Sequence, residues 1–164
     1  MKYVPEFASI IKDKVSMIVA ISSNGAIGKD GVLPWHIPEE LQWFREATKG
    51  KVVVMGRRTW DSLPCKPLPY RHNIVLTTRP IEGIDCCSSV EAALRIAGNS
   101  QVVIIGGSPV YGQAMPLVDT VYVSEIPMHV EPPFVAFPWT KSEWQRTVIR
   151  ESDHFTLAKY TRAR

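Results

Sequence analysis

Three short runs of apolar, mostly β-branched residues set the terms for this chain: Val52-Val53-Val54-Met55, Val102-Val103-Ile104-Ile105 and the longer Val15–Ile21, VSMIVAI. None alternates regularly between apolar and polar residues, so each reads as a strand buried on both faces. A sheet covered on both faces needs helices above and below it, and parallel strands joined by helical crossovers supply them. Further strands are expected at Asn73–Thr77 and Thr120–Ile126, and two more, Trp144–Glu151 and Phe155–Thr161, flank Ser152-Asp153-His154 as a hairpin. Helices are expected at Pro38–Thr48, Thr59–Leu63, Ser89–Ala97 and Pro109–Met115. Pro38 and Pro109 suit the first turn of a helix, and Ser88 with Glu91 has capping-box spacing. The expected fold class is α/β, one twisted and mainly parallel sheet with helices on both sides, made mixed by a C-terminal antiparallel hairpin. Ligands of such sheets bind beyond the carboxyl ends of the strands.

A length of 164 residues suits one domain, and 45% hydrophobic with 21% charged residues is a globular balance, not a disordered or fibrous one. Residues 1–14 carry Pro5, Glu6 and Asp13, lack the apolar stretch of a leader, and read as a loosely attached extension before a single domain at 15–164. A net charge of +3 with no clustered Lys/Arg stripe points away from nucleic acid. Val15–Ile21 is too short to cross a bilayer. Three cysteines, Cys65, Cys86 and Cys87, are odd in number with two adjacent, so no disulfide framework is expected. A cytoplasmic protein is expected. His36, His72, His129 and His154 show neither triad nor metal spacing, and no metal site is expected.

Chemistry concentrates in four places. Ser22–Pro34, with Gly25, Gly28 and Gly31 and no periodicity, reads as a loop able to act as a lid. In the helix at 38–48, successive residues turn by about 100°. Glu40 then falls inside the apolar arc of Leu41, Trp43, Phe44 and Ala47, while Glu39, Gln42, Arg45 and Glu46 take the other side. A carboxylate facing a core or cleft is kept against a desolvation cost, which points to a bound ligand. Three strand-to-helix turns could hold phosphates: Gly56 with Arg57, Arg58 and Thr59; Thr78 with Arg79; and Gly106-Gly107-Ser108 before Pro109. With neither GxGxxG nor GxxxxGK[ST], a standard Rossmann or Walker site is disfavoured. Finally, Ser124 shares a face of its strand with Tyr122 and Ile126; a buried hydroxyl needs a partner, and Glu40 is a candidate.

Together these segments resemble the dihydrofolate reductase family. The resemblance runs from about Val15 to the C-terminus through VSMIVAI, AIGKDGVLPW, HIPEELQWF, VVVMGRRTWDS, PLPYRHNIVLTT, VVIIGGSPVY and TVYVSEI, in order. It implies an eight-stranded mixed sheet flanked by helices and an NADPH-dependent reduction of dihydrofolate. It further implies that Glu40 binds the pterin N3 and 2-amino group, supported by Ser124 in place of the usual threonine, with Trp35 ending the gating loop. Ile18, Val19, Leu41, Phe44, Leu63, Lys66, Leu68 and Ile105 would line the substrate pocket, and Arg71 would grip the glutamyl α-carboxylate. Ala20, Ile27, Gly28 and Leu33 would face the nicotinamide, while Arg57, Leu76, Thr77, Thr78 and Arg79 would surround the 2′-phosphate. Gly56, Arg58 and Thr59 would hold the pyrophosphate. Gly106, Gly107, Ser108, Pro109, Val110 and Tyr111 would form the second phosphate turn, with a cis peptide between its glycines. Dihydrofolate and antifolate inhibitors are the implied ligands, and a monomer is expected. The chain departs from the family at Glu40, where many bacterial members carry aspartate, at Ser108 in place of a third glycine, and at Pro64-Cys65 by an insertion. Val130–Pro138 also lacks the pattern that often steadies the closed loop. Insensitivity to trimethoprim is a further expectation from Glu40 and Ser124. The alternatives are a reductase of the same fold acting on another pterin or pyrimidine, as in riboflavin synthesis, and a non-catalytic nucleotide-binding module.

Overall fold

In the computed structural model, which describes residues 4–29 and 33–163, the three apolar runs lie side by side at the centre of one sheet. The first half of the chain gives α1 (Phe7–Ile10), β1 (Val15–Ser22), β2 (Ala26–Gly28), α2 (Pro38–Thr48), β3 (Val52–Gly56), α3 (Arg57–Ser62), β4 (His72–Leu76) and β5 (Asp85–Cys87). The second half gives α4 (Val90–Ala97), β6 (Val102–Gly106), α5 (Ser108–Ala114), β7 (Thr120–Ile126), β8 (Val135–Ala136), β9 (Trp144–Glu151) and β10 (Thr156–Arg162). The main sheet has the order β5-β4-β3-β6-β1-β7-β10-β9. The first six of these are parallel, and β10 pairs antiparallel with both β7 and β9. This is the expected eight-stranded mixed sheet with its C-terminal hairpin.

Alternate residues of each central strand feed different cores. Met17, Val19, Ile21, Val52, Val54, Val102 and Ile104 pack under α4 and α5 with Val90, Ala93, Val110 and Tyr111. Ile18 and Val103 pack under α1 and α2 with Phe7, Trp43 and Tyr122. Val53 and Met55 pack with Trp60 of α3. Burying a Val or Ile side chain stabilises by about 1.5–3 kcal/mol, so both helical layers are held chiefly by these strands.

Several expectations need correction. Residues 4–14 are not loosely attached: Val4, Phe7 and Ile11 are buried, and Asp13 accepts hydrogen bonds from Thr120 and Tyr122. Apolar residues too few to form a recognisable period are covered by distant partners. The loop 22–34 is not without structure. β2 pairs with β8, and Asn24 clamps Val130 through Nδ2–H···O at 2.8 Å and N–H···Oδ1 at 3.0 Å. Gly31 of that loop lies outside the described residues. The cap of α4 is Ser89, whose Oγ accepts from the Ala92 N–H at 3.1 Å, not Ser88. Helix α3 begins two residues before the expected Thr59, at Arg57, because Gly56 provides the extended N-cap. The strand β5 has only three residues and no alternation to reveal it.

Candidate active site

The ends of β1, β3, β4, β6 and β7 meet along one edge of the sheet. Gly56 is in register with Leu76, Met55 with Gly106, and Ala20 with Ser124. Helix α2, entered from the loop after β1, crosses this edge and brings Glu40 over β7. Pro38 begins α2, and Glu39 and Glu40 suit the positive end of its dipole. The apolar surroundings push the Glu40 carboxyl up to about 7, and the approach of Ser124 only partly offsets this. The Oγ of Ser124 is fully buried and makes no hydrogen bond of ordinary geometry among the described residues; Trp35 Nε1 is likewise buried without a partner. Tyr111 Oη reaches the carbonyl oxygens of Ile18 at 2.8 Å and Ile105 at 3.0 Å, joining β1 to β6 near Glu40. Burial, and then the nearby Glu40, hold the Tyr111 hydroxyl far above the usual phenol range.

The buried arc of α2 differs from the expected one. Gln42 is buried (3% exposed) and Leu41 is open (45% exposed). The cause is α1, which packs along α2 and covers a flank that the helix pattern alone marks as polar. Glu40 stays on the buried side, and Leu41 stands at the rim. Phe44, Trp35, Ala20, Ile18 and Ile105 do come together in one cluster, and Leu63 and Leu68 join Ile105 in the neighbouring one. Val19 does not line this pocket with its side chain, because strand alternation turns it to the opposite face beside Ile21. Lys66 is exposed and makes no hydrogen bond or ion pair among the described residues.

Arg71 sits at the far end of α2. Its Nε donates to Thr48 Oγ1 at 2.8 Å, and its two Nη groups donate to the carbonyl oxygens of Pro69 (2.9 Å) and Arg45 (3.0 Å). Its guanidinium lies 6.0 Å from the Phe44 ring centre. Burial, with the nearby Arg45, lowers its pKa. Thr48, which also donates to the Phe44 carbonyl oxygen at 2.7 Å, is a positioning residue that sequence reasoning missed. Nothing in the spacing of Thr48 and Arg71 announces their meeting.

The three turns proposed for phosphates also lie together. Arg57 ties two of them, with Nε 3.1 Å from Asp61 Oδ1 and Nη1 donating to the Arg79 carbonyl oxygen at 3.1 Å. Arg58, Thr78 and Arg79 are exposed beside it. Gly56 and Gly107 are the N-caps of α3 and α5, and neither helix start is capped by a side chain. Gly106 has φ +118°, and a Cβ there would come within 3.1 Å of Tyr111 Oη, so only glycine fits. The Gly106–Gly107 peptide is cis, as expected. Ser108 and Pro109 open α5. Leu76 and Val110 are core residues under the turns, while Thr77 accepts from the Arg79 N–H at 3.2 Å and so shapes the β4 turn. Ile27 packs against the core facing α4 and α5, Gly28 pairs with Val135, and Leu33 is exposed at the loop end.

Two cavities lie beside this region. One, of 560 Å³, is walled by Glu125, Trp139, Arg146 and Tyr160, where Glu125 already accepts from Arg146 and Tyr160. The other, of 510 Å³, is lined by Trp35, His36, Ile126 and His154. Neither contains Glu40. Among the described residues, no His/Cys/Asp/Glu cluster could hold a metal, and no helix is long and apolar enough to cross a membrane.

Fold and site together define an α/β protein in which a carboxyl in apolar surroundings lies near a sheet edge carrying glycine turns and exposed arginines. Residues 14–162 match the family "Dihydrofolate reductase". The chain is 39% identical over 159 residues to the dihydrofolate reductase of Neisseria meningitidis serogroup B, covering 91% of this chain and 98% of that one. It is 37% identical over 138 residues to dihydrofolate reductase type 3 of Salmonella typhimurium, covering 79% and 85%. The solved dihydrofolate reductase of Enterococcus faecalis, complexed with NADP(H) and RAB-propyl, superposes with a TM-score of 0.76 at 33% identity, covering 90% of this chain and 95% of that one. The chain belongs to the dihydrofolate reductase family, and its class is that of NADP-dependent oxidoreductases.

The raised Glu40 pKa has a consequence for stability. The folded value, about 7, exceeds the ordinary 4.5. The folded state therefore binds the extra proton, and this stabilisation is full below the ordinary carboxylate range and lost as pH rises through about 7. At about 1.4 kcal/mol per pK unit the effect is on the order of 3 kcal/mol. Thermal melts between acid and mildly alkaline pH should show the wild type losing stability relative to Glu40→Gln. Parallel curves for the two proteins would contradict the buried position of the carboxyl.

Proposed function

We propose that the protein reduces 7,8-dihydrofolate to 5,6,7,8-tetrahydrofolate with NADPH, acting as a cytoplasmic monomer over a domain at 15–164. The observation that carries this reading is the pairing of Glu40 at one end of α2 with Arg71 held at Thr48, at the other. Eight residues of helix separate Glu40 from Thr48, about 12 Å. A ligand with a hydrogen-bonding ring at one end and a carboxylate at the other matches that span. With three of its five N–H donors fixing it to Thr48, Pro69 and Arg45, Arg71 keeps two for a carboxylate tail, which a ligand of a same-fold reductase lacking that tail would not engage.

The residues at the sheet edge fit the dinucleotide. A Cβ on Gly107 would lie 3.5 Å from Thr59 Oγ1, narrowing the gap between the turns, and Arg57 is already oriented beside two exposed arginines. Arg58, Thr59 and the Gly106–Ser108 turn would hold the pyrophosphate, and Arg57, Thr78 and Arg79 the 2′-phosphate. When bound, the cofactor supplies the hydride. Glu40 carries a proton near neutral pH, fixes the pterin through its two oxygens and favours protonation at N5. Trp35 and the 22–34 loop exclude water from this end of the pocket. The 22–34 loop covers the nicotinamide.

The direct test is loss of the reduced-nicotinamide absorbance on mixing the protein with dihydrofolate and either cofactor. Charge-assisted hydrogen bonds contribute about 1.5–3 kcal/mol each, so NADPH should be preferred over NADH by at least about tenfold in kcat/KM, and Arg57→Ala should narrow the gap. Equal use of both cofactors by the wild type would contradict the 2′-phosphate assignment. We further infer insensitivity to trimethoprim, since Glu40 reaches one methylene further than aspartate and Ser124 lacks the methyl of threonine. An inhibition constant like that of sensitive bacterial reductases would sink this inference.

Glu40→Gln should fold, because the amide is nearly isosteric and removes a carboxylate from apolar surroundings. At neutral pH its kcat/KM should fall by at least about 10²-fold, the usual contribution of positioned acid–base help. Wild-type kcat/KM should decline as pH rises through about 7, where the carboxyl loses its proton. The variant should lack that inflection: its rate should rise steadily as pH falls, since only solution acid then protonates N5, so its deficit should shrink at lower pH. The same change at Glu39 should matter far less. A pH–rate profile of all three proteins decides the matter, and undiminished activity of Glu40→Gln would remove Glu40 from its role.

A further inference from the structure

The segment ahead of β1 precedes the residues matched by the family, which begin at 14, yet its Val4, Phe7 and Ile11 are buried. Phe7 is fully buried, its ring edge-on to Trp43 of α2 with centres 5.5 Å apart. Trp43 in turn packs against Tyr122 of β7 at 6.1 Å. Tyr122 donates its hydroxyl hydrogen to Asp13 Oδ1 at 2.5 Å, and Thr120, at the start of β7, donates to Asp13 Oδ2 at 2.9 Å. From the hairpin strand β9, Arg150 reaches Glu6 through Nη1 and Glu39 through Nη2, each at 3.3 Å, with its guanidinium over the Phe7 ring at 5.5 Å. Besides Arg150 and the entry to β6, where Gln101 Nε2 donates to the carbonyl oxygens of Ile11 at 3.5 Å and Asp13 at 3.2 Å, the segment grips α2 and β7. On α2 it holds Trp43, three residues after Glu40, while Arg150, which its Glu6 pairs with, also pairs with Glu39, immediately before Glu40. On β7 it holds Tyr122, which shares a strand face with Ser124. The phosphate turns are packed differently, with α3 and α5 resting on β3, β4 and β6.

We propose that residues 4–13 are a positioning clasp that sets the separation of α2 from β7, and with it the placement of Glu40 against Ser124. The proposal rests on the pterin-site reading above. It makes the N-terminal segment part of the substrate half of the site and leaves the cofactor half independent of it. Slackening the clasp lets α2 move outward and water reach the Glu40 carboxyl. The groups facing that carboxyl are Ser124 from β7 and Tyr111 from α5, with Glu39 beside it on α2 held by Arg150.

The test compares the full-length wild type with Phe7→Ala, Phe7→Leu and Arg150→Met, by steady-state kinetics with dihydrofolate and NADPH well below each melting temperature. Phe7→Ala should raise KM for dihydrofolate by about tenfold, as misplacements remote from the chemistry do, and leave KM for NADPH unchanged. It should also move the alkaline limb of the kcat/KM profile to lower pH, because a more solvated Glu40 loses its proton sooner. Phe7→Leu, which keeps most of the apolar volume, should restore both parameters. Should Phe7→Ala not fold, Arg150→Met leaves the apolar packing intact and should show a smaller change in the same direction. Variants that melt lower but keep the wild-type KM and pH limb would overturn the proposal and make the segment a plain stabilising strap. A rise in both KM values together would overturn it as well. Absence of turnover by the wild type would overturn the site reading, and this inference with it.

Discussion

Burial of β3, β6 and β1 on both faces leaves only the strand ends for polar work. With Val52, Val53, Val54 and Met55 all buried, a charged group could enter the middle of the sheet only at a large desolvation cost. Parallel strands also place all their carboxyl ends on one side, so the turns after them collect there whatever their sequence. The glycines at 56, 106 and 107, the arginines at 57, 58 and 79, and the hydroxyl of Ser124 are neighbours for this reason, although they are far apart in the chain.

Against that rigid edge, Glu40 is the costly element. A carboxyl in apolar surroundings resists ionisation, and no cation among the described residues pairs with it. Arg71, in the loop before β4, is turned to Thr48, Arg45 and Pro69 at the far end of α2 instead. The charges around α2 thus lie at its two ends, Arg150 on Glu39 and Arg71 on Thr48 and the Arg45 carbonyl oxygen, and neither pairs with Glu40. Asn24 performs the matching task for the loop. Its two hydrogen bonds tie the loop to Val130, at the start of the segment that lacks the family's loop-steadying pattern.

The legible parts of this structure were those with a period. The strands showed as runs of β-branched residues, α2 was placed to the residue, and Glu40 emerged from helical geometry alone. The family resemblance carried the rest of the site list, including Arg71 and the glycine turns. What stayed hidden has no local signal. Phe7 and Ile11 belong to a short apolar stretch, FASII, without a period long enough to read, and only Trp43, Tyr122 and Arg150, distant in sequence, explain their burial. The same cause misplaced Gln42 and Leu41, since a helix pattern shows which residues are polar but not that a second helix covers the polar flank. Val19 was assigned to the pocket by resemblance, whereas strand alternation, visible in the sequence, puts its side chain on the far face.

The two rims of the sheet differ in length but share a property. β5 offers only three residues, beginning with exposed Asp85. β9 offers eight, but Arg146, Arg150 and Glu151 stand on it, and its pairing with β10 slips between Leu157 and Ala158. Short, charged or bulged edges are how sheet proteins discourage strand-to-strand docking between copies. Neither rim of the main sheet offers a second molecule a long, straight and uncharged ladder of free N–H and C=O groups to extend. Protection against aggregation is thus built into the hairpin that also carries Arg150.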